Sequence, residues 1–253
     1  MTLDGRVAIV TGAGQGVGRG IALALATRGA RVVIAARRAE TGDPVAREIC
    51  DRGGEAVCIV TDVTRREDVA RCVDATIERY GALHVMVHNA YAGGIAHRLE
   101  DVGVDLWEQS SGTAVWGSFF CAQLAFPHLR AAGSRGRLVL VTSPAGVEGS
   151  GNIPLYAPVK AAQRAMAKSL AREWGHHGIT VNCIAPVAET PALARAFELT
   201  PELKGRLEAR TPLGRVGDAE RDIGGVVAFL ASDDAGYVTA QKIVCDGGSF
   251  TGL

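Results

Sequence analysis

Tyr156 and Lys160 stand four residues apart, and Ser143 lies thirteen residues before the tyrosine. At that spacing a helix carries phenol and ammonium on one face. A positive charge beside a phenol favours the phenolate, so the tyrosine pKa is expected to fall from about 10 toward a range useful for proton transfer. The chain has only four tyrosines and four lysines, so such a pairing is uncommon by chance. Taken alone it also fits a plain surface contact, and the other end of the chain decides between the two.

There, Arg6-Val-Ala-Ile-Val-Thr11 reads as a buried strand. Gly12-Ala-Gly14-Gln15-Gly16-Val17-Gly18 follows, and Ile21 to Ala26 reads as a helix ending near Gly29. Glycines let a backbone approach a pyrophosphate, and a helix N-terminus offers free N–H groups and a positive dipole end. The spacing is G-x-x-x-G-x-G; the common G-x-G-x-x-G would need glycine where Val17 stands. Strand, glycine turn and helix together predict nucleotide binding.

The elements that must position these groups alternate along the chain. Strand-like runs recur at 6–11, 31–36, 55–60, 83–88, 136–142, 178–184 and 241–245. Helix-like runs separate them at 17–28, 41–52, 65–80, 105–131, 154–176 and 218–232. This predicts an α/β fold, one doubly wound, Rossmann-like parallel sheet of about seven strands with helices on both faces. Ligands of such sheets bind at the carboxyl ends of the strands. Gly12, Asn89, Ser143 and Pro186 follow the first, fourth, fifth and sixth strands. With no linker or low-complexity stretch, residues 1–253 read as one domain.

Composition narrows the partners. Net charge is zero at 47% hydrophobic content, which removes an electrostatic case for nucleic acid or an anionic membrane. No apolar run reaches the roughly 20 residues of a membrane span. Met1 to Gly5 leads directly into a strand, so the start is read as carrying no signal peptide, and a cytoplasmic location is expected. Six scattered cysteines without C-x-x-C read as reduced thiols, and the six histidines suggest no metal site.

Thr11-Gly12-x3-Gly16-x-Gly18, Ser143 and Tyr156-x3-Lys160 resemble the short-chain dehydrogenases/reductases. Asp62-Val63, Asn89-Ala90, Asn182 with Pro186, Gly214 to Gly217 and Asp246 to Gly248 extend the resemblance nearly end to end. It is similar to the 3-oxoacyl-acyl-carrier-protein reductase-like and glucose dehydrogenase-like members. The resemblance implies an NAD(P)-dependent enzyme interconverting a ketone and a secondary alcohol. Tyr156 would be the general acid/base, Lys160 would lower its pKa and hold the nicotinamide ribose, and Ser143 would hydrogen-bond the substrate oxygen. Cofactor contacts are implied for Gly12, Gln15, Gly16, Val17, Gly18, Arg37, Arg38, Asp62, Val63, Asn89, Ala90, Tyr156, Lys160, Pro186 and Thr190. Ala36 stands where an acidic residue would favour NAD, and Arg37 and Arg38 beside it can pair with a 2′-phosphate, so NADP is expected. The resemblance also implies a substrate lid at 190–212 and a homotetramer assembled through the two long helices.

Four departures sit near the nicotinamide end. Alignment on Trp107 and Gly117 puts Ala114 at the family's relay asparagine, for which Thr113 or Ser111 would have to substitute. Tyr91 replaces a glycine, Val187 stands where Pro-Gly is common, and Pro158 lies inside the Tyr-Lys segment. They support an alternative, a nucleotide-binding protein with little or no redox activity, and a weaker one, non-redox proton chemistry such as dehydration. A moderately apolar substrate is expected between Tyr91–Arg98, Pro144–Ile153 and the lid, against Ile95, Val147, Ile153, Leu155, Leu193 and Phe197.

Overall fold

In the computed structural model, which describes residues 2–93, 98–151 and 153–250, every run expected as a strand forms one and pairs in parallel. The strands are β1 (Val7–Thr11), β2 (Arg31–Ala36), β3 (Glu55–Val60), β4 (Val85–His88), β5 (Arg137–Val141), β6 (Thr180–Pro186) and β7 (Lys242–Cys245). They form a seven-stranded sheet in the order β3-β2-β1-β4-β5-β6-β7. The order reverses between β1 and β4, which opens a crevice at their carboxyl ends.

Both faces of the sheet are covered. The period of two sends Ala8, Val10, Val32, Ile34, Val85 and Val87 to one side. There they pack with Ile21 and Leu25 of α1 (Gly16–Ala26), Ile49 of α2 (Ala39–Asp51) and Val227 and Leu230 of a C-terminal helix described below. Val7, Ile9, Val33, Met86, Leu138 and Leu140 point the other way. They meet α3 (Arg66–Tyr80) through Val69 and Val73, and two long helices through Leu129 and Trp174.

The helix expected over 105–131 is two helices, α4 (Val104–Ser111) and α5 (Gly117–Ala132), joined by a π-helical turn at Gly112–Trp116. Buried side chains reach the carbonyls of that turn. His88 Nε2 bonds Thr113 O at 3.1 Å and Ser118 Oγ bonds Ala114 O at 2.6 Å. After β5 come the short α6 (Ala145–Glu148) and then α7 (Tyr156–Trp174). Pro158 is the third residue of α7, within the first turn, where a missing N–H costs little. The 190–212 stretch folds as α8 (Pro191–Leu199) and α9 (Glu202–Arg210). Thr190 caps α8 by accepting from Leu193 N at 3.2 Å. The helix expected over 218–232 begins as a π-helical stretch, Ala219–Gly224, and continues as α10 (Gly225–Ala231).

Val187 takes no glycine-like backbone. Among the described residues only Ala240 has a positive φ without being glycine, and Val187 N donates to Cys245 O at 2.9 Å as a strand residue would. No helix among the described residues is long and apolar enough to cross a membrane. All six cysteines are free.

Candidate active site

The glycine turn is built for close approach. Gly12 follows β1 at φ +64°, and a Cβ there would lie 2.8 Å from Ala90 Cα. A Cβ on Gly18 would lie 2.4 Å from Gly12 O, so α1 can begin against the turn only with glycine at 18. Gln15 enters α1 in extended conformation without a side-chain cap, which leaves the first N–H groups of the helix open to a ligand.

The β1–β4 crevice is pinned from β4. Asn89 Nδ2 donates to Thr11 O at 3.0 Å and Gly12 O at 3.2 Å. Thr11 Oγ1 accepts from Asn89 N and Ala90 N, and its own proton goes to His88 Nδ1 at 3.0 Å. His88 Nε2 therefore carries the ring proton that it donates to Thr113 O. Burial pushes the His88 pKa down to about 3, so the ring stays neutral.

A groove of about 500 Å³ runs over these ends, lined by the glycine turn, Ala36 to Arg38, Asp62, Val63, Asn89 to Tyr91 and Thr190. It unites nearly all the residues expected to bind a cofactor. Pro186, at the end of β6, and Tyr156 and Lys160 of α7 are not among its walls. Ala36 is buried at the tip of β2, whereas Arg37 and Arg38 are exposed, and neither forms an ion pair among the described residues. Asp62 closes its own turn, accepting from Thr64 N at 2.9 Å and Thr64 Oγ1 at 2.7 Å. A larger cavity, about 700 Å³, opens at the opposite end of the sheet near Thr2, Asp4, Arg28 and Arg52, and none of the motif residues lines it.

Ser143, Tyr156 and Lys160 converge beyond the ends of β4 and β5. Ser143 Oγ accepts from Ala145 N at 3.2 Å and lies near enough to the Tyr156 phenol to lower its pKa. Tyr156 opens α7 and lies half-buried, with the Tyr91 ring edge-on at 4.9 Å and Tyr91 Oη 3.0 Å from Ser110 Oγ. Lys160 Nζ lies 5.5 Å from the Tyr156 ring centroid and 5.2 Å from that of Tyr91.

The electrostatics reverse the expected direction for the phenol. Burial pushes the Tyr156 pKa up to about 12, against the lowering effect of Ser143. Lys160 is itself buried, which lowers its pKa to about 7. Its hydrogen bonds go to Val141 O at 2.8 Å and Gln163 Oε1 at 2.9 Å. The i,i+4 spacing put both groups on one face, but the lysine's acceptors lie behind the tyrosine.

Neither residue expected to replace the family's asparagine faces the lysine. Thr113 Oγ1 bonds Ala92 N and Gln109 O, and Ser111 Oγ bonds Trp107 O in solvent. Gln163 and Ser118, which do form the network behind Lys160, were not singled out from sequence; a glutamine three residues after the lysine, on the buried side of an otherwise apolar helix face, was the available signal. On the substrate side, Val147, Ile153, Leu193 and Phe197 are half-buried, but Leu155 belongs to the interior at 2% exposure. Residues 94–97, including Ile95, and Asn152 lie outside the described residues. Among the described residues no three His, Cys, Asp or Glu side chains cluster as a metal site.

Comparison with known proteins agrees with this geometry. The family model described as Enoyl-(Acyl carrier protein) reductase matches residues 12–249. The chain is 39% identical to the hydroxynaphthalene reductase-like protein Arp2 of Metarhizium robertsii, over 99% of this chain and 97% of that one. It is 33% identical to the L-rhamnose 1-dehydrogenase (NAD(P)(+)) of Azotobacter vinelandii over the whole of both. The structure of a short-chain type dehydrogenase/reductase from Mycobacterium ulcerans superposes with a TM-score of 0.92 at 30% identity, covering 98% of this chain and 91% of that one.

Proposed function

This chain belongs to the short-chain dehydrogenase/reductase family of oxidoreductases, and from that premise we propose that it interconverts a ketone and a secondary alcohol with NADP(H), using Tyr156 as proton donor and acceptor. The observation that carries the reading is the placing of Ser143 near enough to Tyr156 to act on the phenol's pKa, with Tyr156 packed against Tyr91 at the wall of a groove floored by the glycine turn.

The groove suits a nicotinamide dinucleotide. Its glycine cradle would be filled by any Cβ at 12 or 18, the uncapped start of α1 suits a pyrophosphate, and the free guanidiniums of Arg37 and Arg38 suit a 2′-phosphate. When bound, the cofactor gives or takes the hydride. The protein's part is the proton and the oxygen. A phenol held near 12 is protonated at neutral pH and ready to donate to a carbonyl oxygen. Ser143 Oγ can hold that same oxygen as negative charge develops. Lys160, with two of its three N–H bonds directed at Val141 and Gln163, keeps one for the cofactor ribose.

The half-buried apolar side chains near α6 and α8 favour a moderately apolar substrate. The relatives' names span a fused aromatic ring and a sugar, so family membership does not choose between them. We read residues 1–253 as one domain with α8 and α9 as lid, in a cytoplasmic homotetramer. The exposed Trp107, Trp116 and Phe119, with Trp116 and Phe119 stacked edge-on at 6.1 Å, support burial of α4 and α5 against a second copy.

The test is fluorescence titration with NADPH and NADH, followed by NADPH oxidation against ketones from bicyclic to sugar-like. Tight NADPH binding with turnover is expected. Tight binding without turnover across the panel would favour the nucleotide-binding alternative, for which the Tyr91 ring packed on Tyr156 speaks. Binding of neither cofactor would overturn the reading.

A further inference from the structure

Behind Lys160 runs a chain of buried hydrogen bonds whose direction can be assigned atom by atom. Lys160 is 1% exposed and Gln163 is fully buried. An ammonium has three donors and no acceptor, so the Gln163 atom facing it must be the carbonyl Oε1, at 2.9 Å. That turns Nε2 the other way, toward Ser118 Oγ at 2.8 Å. Having accepted there, Ser118 gives its own proton to Ala114 O at 2.6 Å, on the π-helical turn. Each link from Lys160 to that carbonyl sets a donor against an acceptor. Reversing Gln163 would set N–H against ammonium.

The chain ends at the residue whose side chain can do nothing polar. Ala114 contributes only its backbone oxygen, and the hydroxyls beside it on the helix, Thr113 and Ser111, are committed elsewhere. The groups that face Lys160 are Tyr156 on its own helix, Tyr91 and the neutral His88 from β4 and its loop, and Cys183 on β6. Lys160 has no carboxylate partner among the described residues. Two neutral oxygens, Val141 O and Gln163 Oε1, hold its proton in a site that burial would otherwise empty.

We propose that Gln163, anchored by Ser118, is a positioning residue for the proton chemistry at Tyr156: its carbonyl keeps Lys160 an ammonium and aims the remaining N–H into the site. This rests on the function proposed above, and it supplies from α7 what Ala114 does not supply from the π turn. A backbone carbonyl alone, Val141 O, would fix one N–H and leave the ammonium free to swing about it. The second acceptor removes that freedom, and Ser118 prevents the amide from turning over.

The lysine can be read without any substrate. The chain has four lysines, so the side-chain carbons of ¹³C-lysine protein give a countable NMR spectrum in which Lys160 is assigned by its loss in Lys160→Met. Gln163→Leu removes the acceptor at similar volume, and the Lys160 pKa is expected to fall by about one unit, a tenfold shift in protonation. Gln163→Glu puts a carboxylate there and should raise it above wild type. Ser118→Ala should lower it by less than Gln163→Leu. With NADPH and a ketone that the wild type reduces, the alkaline limb of the kcat–pH profile should move by the same amount as the NMR pKa, with NADPH Kd changed less than about threefold. An unchanged Lys160 pKa in folded Gln163→Leu protein overturns the proposal, as does a kcat loss in all variants with an unmoved pH profile. Should Gln163→Leu fail to fold, the opposite shifts of Gln163→Glu and Ser118→Ala decide. If the pKa shifts appear but no form of the protein oxidises NADPH, the proposed activity fails, and with it the catalytic meaning of an anchor that nonetheless exists.

Discussion

Replacing Arg37 and Arg38 together by alanine alters only the rim of the groove. Both side chains are exposed, and what holds the start of α2 is the Arg38 backbone, whose carbonyl accepts from Thr41 N, Thr41 Oγ1 and Gly42 N. The double substitution should therefore leave the fold intact. A hydrogen bond to a charged group contributes about 1.5–3 kcal/mol, and exposure to solvent places each of these at the low end. The pair then contributes about 3 kcal/mol toward a 2′-phosphate, on the order of 100-fold in affinity. NADPH Kd should rise by that factor while NADH Kd, with no phosphate to lose, stays within about threefold. Fluorescence titration of both cofactors at two salt concentrations measures this. Added salt should weaken NADPH binding to wild type more than to the variant, because screened charges contribute less. Ala36→Asp, at the buried tip of β2, should shift preference toward NADH. Equal weakening of both cofactors, or unchanged NADPH affinity, would refute the argument from free guanidiniums at the groove.

Tyr156→Phe should lower kcat by about 10²–10⁴ with cofactor Kd unchanged, and turnover equal to wild type would remove the tyrosine from the reaction. Lys160→Met should raise Tm over wild type by more at pH 6 than at pH 9. Below about 7 the folded protein must hold a buried ammonium, whereas the unfolded lysine stays protonated to about 10.4. Differential scanning calorimetry at the two pH values reads the difference. His88 binds its proton near 3 when folded and near 6.5 when unfolded, so its contribution is complete above 6.5 and is lost as pH falls. At pH 5 the loss is about 2 kcal/mol, and His88→Asn should show a shallower decline in urea stability between pH 7 and 5 than wild type. Parallel declines would mean that the ring titrates normally.

The strands and the glycine-turn end of the groove were legible because their determinants are local. Runs such as Arg31 to Ala36 carry their own periodicity, and the Gly12–Gly18 turn needs its glycines whatever surrounds it. The Tyr156–Lys160 pair was legible as a pair but not in its electrostatics. Spacing on α7 fixes the face, whereas the lysine's acceptors come from β5 and from Gln163, and the burial that raises the phenol comes from packing around Tyr91. The π turn was hidden for the same reason. Its stretch, Gly112 to Trp116, contains nothing that forbids an α-helix, and one of the donors that meets its carbonyls, His88, lies 25 residues away in sequence. Val187 shows the converse: a residue standing where Pro-Gly is common in the family departs from the pattern without adopting a positive φ.

The widened turn between α4 and α5 gives chain length an unusual meaning there. A π turn absorbs one extra residue while the helix on either side keeps its facing. Deleting a residue elsewhere in α5 would rotate everything after it by about 100° and carry Cys121, Ala125 and Leu129 off the sheet. Deleting one within 112–116 would leave those faces where they are. What would vanish is the offset that lets Thr113 O meet His88, whereas a serine at Ser118 could still bond the carbonyl four residues back as in any α-helix. One residue of this helix is therefore surplus to packing, and its effect falls on the carbonyl turned toward His88.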